Sequence, residues 1–288
     1  MKLSIVIPTL NQIDLAKTCY KEILDNSFVG TEFIILDNGS DEPIKQNDFP
    51  FAKIIRNEKN TGVYPTFKQG MEVATGDVVA FLHSDVVVWE KGWDKKVLET
   101  FEKNTKLGLV GFIGSDEIGA DGGRGLGTAS NFQGKEITDG NKVWQGSAWN
   151  KHGALLLDYM KGAVVDGCVM ILSRDAWNKI GYREDFPPHH FYDRLISTQV
   201  LEAGYSVGVL GIECDHISGQ TVNQEKGYQK MGREWLRTHI EELRYKNLLE
   251  DIPKDISQIV VDQSIYLIAE KMWLDEYRDK KHLIPIKV

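Results

Sequence analysis

Short apolar runs, each closed by polar residues and separated by helical or turn-rich stretches, dominate the first third of the chain. Leu3-Ser4-Ile5-Val6-Ile7 is a β-rich run stopped by Pro8. Asn11 to Asp14 supply turn and cap chemistry, and Ala16, Cys19, Tyr20, Ile23 and Leu24 then recur at helical spacing. Glu32 to Leu36 reads as a second strand, closed by the polar loop Asp37-Asn38-Gly39-Ser40-Asp41, and Ala52 to Arg56 as a third. Tyr64 to Thr75 fits a helix ended by Gly76. Val78 to Leu82 is apolar at every position, which predicts a fourth strand buried on both faces. Strands that alternate with helices need crossover connections, so the fold class is α/β with a mainly parallel central sheet.

The rest of the chain divides into three. Residues 114–153 hold seven glycines between Gly114 and Gly134 and few apolar anchors, which reads as a surface loop, with the Gly-rich 114–134 segment a candidate lid over bound ligand. Ala163 to Leu172 restores a strand, Asp175 to Ile180 and Leu195 to Ala203 read as helices, and Tyr205 to Ile212 reads as a last strand. From residue 221 onward two amphipathic helices flank Pro253. The expected organisation is therefore an α/β domain over residues 1–220 and a helical C-terminal extension over 221–288. The apolar stripe from Ile256 to Trp273 either packs on the first domain or forms a homo-oligomer contact.

Charge and cysteine usage narrow the partners. The 288 residues include 34 basic and 42 acidic side chains, a net charge of −8. Twelve of each sign fall between Thr221 and Val288, so the whole acidic excess lies in residues 1–220. That balance argues against a large nucleic-acid grip or a polybasic membrane anchor. No apolar run approaches the ~20 residues of a transmembrane segment. Cys19, Cys168 and Cys214 are widely spaced and form no CxxC pair, which disfavours a disulfide framework or a zinc knot and points to a cytoplasmic location.

The informative pattern is where carboxylates fall relative to strands. In open α/β sheets, ligands bind beyond the carboxyl ends of the strands. Asp37 follows the second strand at that end and Asp85 follows the fourth, so both are expected on one rim. His216 follows the last strand. A carboxylate and an imidazole converging on one rim can hold a divalent cation, with oxygen ligands favouring Mg2+ or Mn2+. Taken singly, each of these groups also fits a loop cap.

These residues carry a resemblance. Ser4-Ile5-Val6-Ile7-Pro8-Thr9-Leu10-Asn11 and Ile34-Ile35-Leu36-Asp37-Asn38-Gly39-Ser40 resemble the opening of family 2 glycosyltransferases with the GT-A fold. Asn60-Thr61-Gly62, Gly70, Ala74-Thr75-Gly76-Asp77 and Phe81-Leu82-His83-Ser84-Asp85 look like that family's N-x-G…G…A-x-G-D…F-L-D-x-D series. Asp166-Gly167-Cys168, Tyr192-Asp193, Ala203-Gly204-Tyr205 and His216 follow in the family's order. The resemblance covers residues 1–220 and implies a GT-A-like nucleotide-binding domain that transfers a hexose from a nucleotide diphosphate sugar, UDP-linked by preference, to a carbohydrate or other hydroxyl acceptor with inversion.

The same resemblance assigns roles. Pro8, Thr9, Asn11, Asp37, Asn60, Gly62, His83 and Ser84 would line the nucleotide side. Asp85, with His216, would hold Mn2+ or Mg2+. Asp193 would be the general base, while Asp166, Gly167, Trp144 and Trp149 would face the sugar or acceptor. Two positions depart from the pattern: His83 stands at the first Asp of D-x-D, and Tyr192 stands where members often carry Glu before the Asp. Local readings compete at three places. Asn11 and Asp193 each fit a helix N-cap, and Asp166-Gly167 fits a turn. A sugar nucleotidyltransferase is an alternative, although Pro8-Thr9-Leu10-Asn11-Gln12 is not the Gly-rich phosphate loop it would need. A catalytically silent binding module is another, for which His83 is the best argument.

Overall fold

The apolar runs become strands of one twisted sheet. The computed structural model describes residues 1–28, 30–115, 136–138, 141–142, 159–216 and 239. In chain order the elements are β1 (Leu3–Thr9), α1 (Ile13–Asp25), β2 (Glu32–Asp37), β3 (Ala52–Arg56), α2 (Val63–Val73), β4 (Val78–Leu82) and β5 (Val86–Val88). Next come α3 (Trp93–Lys103), β6 (Leu107–Gly111), β7 (Gly114–Ser115), β8 (Glu136–Thr138), β9 (Asn141–Lys142) and β10 (Tyr159–Gly162). The last are β11 (Val164–Val165), β12 (Val169–Ser173), α4 (Arg174–Ile180), α5 (Tyr192–Glu202), β13 (Ser206–Leu210) and β14 (Cys214–His216).

Eight strands pair in the order β10-β13-β6-β12-β4-β1-β2-β3. β1 lies parallel to both β2 and β4, β2 parallel to β3, and β13 parallel to β6. The sheet is thus mainly parallel, as the alternating pattern requires. β12 runs antiparallel between β4 and β6, and β10 runs antiparallel on the β13 edge. Successive side chains of a strand point to opposite faces, and both faces are covered. Ile5, Ile7, Ile35, Ala80 and Leu82 pack with Tyr20 and Ile23 of α1 and with Trp93, Val97 and Phe101 of α3. Val6, Ile34, Leu36, Val79 and Phe81 pack with Phe67 and Met71 of α2 and with Leu195, Ile196 and Val200 of α5. Burial on both sides explains why β4 has no polar position: all five of its residues are buried.

The structure corrects several sequence expectations. Pro8 does not stop β1, which continues to Thr9. Pairing with β4 ends at Val6↔Phe81, so Pro8 lies beyond the stretch where that neighbour would need its missing N–H. The single strand expected from Ala163 to Leu172 is two strands, β11 and β12, because the Asp166 carboxylate accepts a hydrogen bond from Cys168 N (2.9 Å) and bends the chain. Gly114 opens the short strand β7, paired antiparallel with β11, rather than a loop. α5 begins at Tyr192, three residues before its expected start. Residues 86–113 carry no recognised motif and receive no assignment from sequence, yet they supply β5, α3 and β6. Apart from His239, the helical extension expected over 221–288 lies outside the described residues, as does most of the candidate lid.

One side chain fastens two layers. Arg174, the first residue of α4, donates to three carbonyls around the end of α2: Met71 O (2.9 Å), Ala74 O (2.8 Å) and Gly76 O (2.8 Å). Met71 O and Ala74 O belong to the unsatisfied end of the helix, where a cation is favoured, and Gly76 O lies just beyond it. Replacing Arg174 with Met should cost about 1.5–3 kcal/mol, the scale of hydrogen bonds to a charged group. Denaturant unfolding of the variant, monitored by far-UV circular dichroism, measures that loss directly.

Candidate active site

The carboxyl ends of β1, β2 and β4 share a rim because the three strands are parallel. The chain turns there through His83, Ser84 and Asp85, with Val86 N donating to His83 O (3.1 Å). β14 then pairs antiparallel with β5 and sets His216 opposite Val86, next to Asp85. His216 Nε2 stands 3.3 Å from Asp85 Oδ1, and His83 Nδ1 stands 4.0 Å from the same oxygen. One candidate ligand atom from each of the three residues lies within 4.8 Å of the others. Two ligands each ~2.1 Å from one ion can be up to ~4.2 Å apart, so both distances to Asp85 Oδ1 fit a shared cation. The set of two imidazoles and one carboxylate is richer in nitrogen than a typical Mg2+ site and suits Mn2+ or a later transition metal better.

The electrostatics of the group are set by burial and mutual contact. The Asp85 side chain is 14% exposed. Burial alone would raise its pKa, but the adjacent His216, with His83, holds the carboxyl below its ordinary value. Burial pushes the His83 imidazole down, against the pull of Asp85, so the neutral ring is favoured. A neutral ring keeps one nitrogen lone pair for a metal.

A second cluster adjoins the first. β12 is antiparallel to β4, so its beginning, not its end, reaches the rim, and His83 N donates to Cys168 O (2.9 Å). The preceding Gly167 N donates to Asp193 Oδ2 (3.1 Å). Asp193 also accepts from Arg194 N (2.9 Å, Oδ1) and pairs through Oδ2 with the Arg194 guanidinium. It is 4% exposed and lies in the first turn of α5, whose N-cap position is Phe191, so the N-cap alternative for Asp193 is not what the chain adopts. Tyr192 links the clusters: its hydroxyl lies 2.9 Å from His83 Nε2 and 3.4 Å from Gly167 O. Burial pushes the Tyr192 phenol well above its ordinary pKa, so it keeps its proton at neutral pH. His190 and Phe191, just before this turn, both hold positive φ values (62° and 57°), unusual for non-glycine residues and frequent at functional sites.

Of the residues expected on the nucleotide side, Pro8, Thr9, Asn11 and Asp37 lie at the ends of β1 and β2, Asn60 and Gly62 lie before α2, and His83 and Ser84 follow β4. Thr9 sits opposite Asp37 in the ladder. The Thr9 hydroxyl is buried and has no hydrogen-bond partner among the described residues, a vacancy that a ligand can fill. Asn11 is not the cap of α1, whose N-cap position is Gln12; it accepts from Asp41 N (2.8 Å) while its own N donates to Ser40 Oγ (3.0 Å). Asn38 Nδ2 donates to Asn60 Oδ1 (3.0 Å) and to Gly62 O (3.2 Å), which fixes the entry to α2. Gly62 is at φ +94°, and a Cβ there would lie 2.6 Å from the Pro188 side chain, so only glycine fits.

Asp37 is wholly buried, and its oxygens are engaged within the protein. Oδ1 accepts from Ser40 N (2.9 Å), and Oδ2 pairs with Arg56 Nη1. Burial would raise its pKa, but the Ser40 hydrogen bonds and the Arg56 pair outweigh that and hold the carboxyl below its ordinary value. A depressed folded-state pKa gives stability that is present above the ordinary aspartate pKa of ~3.9 and is lost as pH falls through the folded value. Asp37→Asn should therefore lower stability at pH 7 and flatten its decline in acid. Unfolding free energies of both proteins between neutral pH and pH 3 are the check.

Trp144, Trp149 and the Gly-rich segment beyond Ser115 lie outside the described residues. Asp166 forms the turn that the local reading allowed, through its bond from Cys168 N. Arg56, Asn38 and Arg194 were not singled out by sequence. Arg194 adjoins a motif, and Asn38 lies inside one, but nothing local marks Arg56 as the partner of Asp37.

Comparison with known proteins places this geometry in a family. The model of the family described as Glycosyl transferase family 2 matches residues 4–180. An uncharacterised glycosyltransferase, YibD of Escherichia coli K12, is 30% identical over 94 residues, 31% of this chain and 27% of its own length. A glucosyl-dolichyl phosphate glucuronosyltransferase of Haloferax volcanii is 26% identical over 118 residues, 38% of this chain and 37% of its own length. The chain thus matches well under half the length of these curated relatives. Among solved structures, the mannosyltransferase PcManGT from Pyrobaculum calidifontis, in complex with GDP-Man and Mn2+, shares the fold. Its TM-score is 0.56 at 11% identity, over 96% of this chain and 75% of that one. With the family model spanning more than half of it, this chain belongs to glycosyl transferase family 2.

Proposed function

We propose that this chain transfers a hexose from a nucleoside diphosphate sugar, UDP-linked by preference, to a hydroxyl acceptor, with Asp193 as general base and inversion at the anomeric carbon. The observation that carries the reading is the junction on the rim. A cation-ready group (His83, Asp85, His216) and a buried carboxylate (Asp193) are tied together through Tyr192 and Gly167.

The division of labour follows from the donors each group already has. A carboxylate offers about four lone-pair sites. Among the described residues Asp193 uses three of them, on Gly167 N and on two nitrogens of Arg194, which leaves a site on Oδ1 for an incoming hydroxyl. In the displacement, the acceptor oxygen passes its proton to that oxygen as the new C–O bond forms. The bond between the anomeric carbon and the phosphate oxygen breaks, and its electron pair leaves with the diphosphate. Asp85, His216 and His83 would hold a divalent cation, and its chemistry there would be Lewis-acid stabilisation of the charge on that diphosphate. Arg56 and Arg194 are both engaged with aspartates, which supports a donor affinity that depends on the cation more than on them. The Thr9 hydroxyl, without a partner among the described residues, supports a ligand contact at the end of β1, on the nucleotide side.

Turnover of a panel of UDP- and GDP-sugars, with product anomers resolved by NMR, tests the proposal. Asp193→Asn should lower kcat by ~10²–10⁴-fold, the usual contribution of a general base. Asp85→Ala should abolish the cation requirement together with most turnover, and Mn2+ should support the wild type better than Mg2+. Wild-type rates in Asp193→Asn, or a product that retains the donor's anomeric configuration, would remove Asp193 from the base role. Donor binding without turnover under any condition would leave a silent binding module as the better reading.

A further inference from the structure

The two positions at which this sequence departs from its family's pattern, His83 and Tyr192, are 109 residues apart and meet in the fold. The Tyr192 hydroxyl is 2.9 Å from His83 Nε2. A neutral imidazole carries a single N–H, and its neighbours decide which nitrogen bears it. His83 Nδ1 faces Asp85 Oδ1 at 4.0 Å, too far for a hydrogen bond. The Tyr192 hydroxyl has a second neighbour, the Gly167 carbonyl at 3.4 Å, which can only accept. A phenol has one proton. Directed at Gly167 O, that proton leaves the phenol oxygen to accept from His83 Nε2–H.

The phenol is also held in place by its surroundings. Tyr192 is 7% exposed, and its ring lies 5.3 Å from the Phe67 ring. Gly167 leaves the room it occupies: a Cβ there would stand 2.5 Å from the Tyr192 hydroxyl oxygen.

We propose that Tyr192 is a positioning residue that holds His83 in the Nε2–H tautomer and so turns the Nδ1 lone pair toward the cation position beside Asp85 and His216. This rests on the metal-assisted reading above. The partner of a ligating histidine's other nitrogen fixes its tautomer and orientation, and loss of such a partner typically weakens metal binding 10–100-fold. Tyr192 thereby lets a histidine serve where the family pattern has a carboxylate.

Two measurements on the full chain test the assignment. The first is the nitrogen NMR spectrum of 15N-histidine-labelled, metal-free protein; the second is Mn2+ affinity from the electron paramagnetic resonance signal of free Mn2+. Wild-type His83 should show a protonated Nε2 and an unprotonated Nδ1. Tyr192→Phe, which keeps the ring and its packing, should lose that tautomer preference and bind Mn2+ at least ~10-fold more weakly. Gly167→Ala, which crowds the phenol without removing its hydroxyl, should weaken Mn2+ binding in the same direction. Asp85→Ala separates the two ideas. If Asp85→Ala loses Mn2+ while Tyr192→Phe keeps the wild-type affinity and tautomer, the role of Tyr192 is overturned and the metal reading stands. If Asp85→Ala binds Mn2+ as the wild type does, the metal reading fails and the proposal with it. A wild-type His83 protonated on Nδ1 overturns the proposal without any variant.

Discussion

The antiparallel pairing of β12 with β4 is the constraint on which the site depends. Parallel strands β1, β2 and β4 bring their carboxyl ends, and the polar residues that follow them, to one rim. A strand running the other way brings its beginning there instead, with Val169 opposite Leu82. The Asp166-Gly167 turn consequently lies beside His83, and the bond from His83 N to Cys168 O extends the ladder past the last paired residue. From that turn, Gly167 contacts the first turn of α5 through both its N–H and its carbonyl. One strand pairing thus places His83, Gly167, Tyr192 and Asp193 together.

The acidic surplus of the domain is distributed differently from what a count of carboxylates suggests. Three buried or largely buried aspartates on this rim each have a positive or hydrogen-bonding neighbour: Asp37 with Arg56, Asp193 with Arg194, and Asp85 with His216. A buried carboxylate without such a neighbour would bear a desolvation cost of several kcal/mol, so the pairing is a condition of folding as much as of chemistry. The candidate cation group itself combines one carboxylate with two imidazoles, and Asp166 and Asp193 add their charge to the field at His83.

Much of this was legible in sequence because the signals are local. Continuous apolarity in Val78 to Leu82 reports burial on both faces without reference to any other residue, and all five residues are buried. Polar residues at the ends of parallel strands report a shared rim by the same logic, since the rim is where those strands stop. Residues 86–113 were not legible. α3 starts from a left-handed Gly92 with no side-chain cap, and β6 carries no motif. The competing local readings divided. Asp166 forms its turn, whereas Asn11 and Asp193 turned out not to be caps, because each has a partner from a distant segment: Ser40 and Asp41 for Asn11, Gly167 for Asp193.

The sequence alone determined the fold class and the order of the motifs, because apolar period and strand-end chemistry are properties of a few neighbouring residues. Only the tertiary structure decided which atoms of those motifs remain available. Asp37 has its oxygens engaged by Ser40 and Arg56, Asp193 accepts from Gly167 and Arg194, and His83 meets through Nε2 the hydroxyl of a tyrosine 109 residues away. The physical reason is that a polar atom's availability depends on its whole complement of hydrogen-bond partners, and at this site most of those partners are supplied by strands and helices distant in sequence.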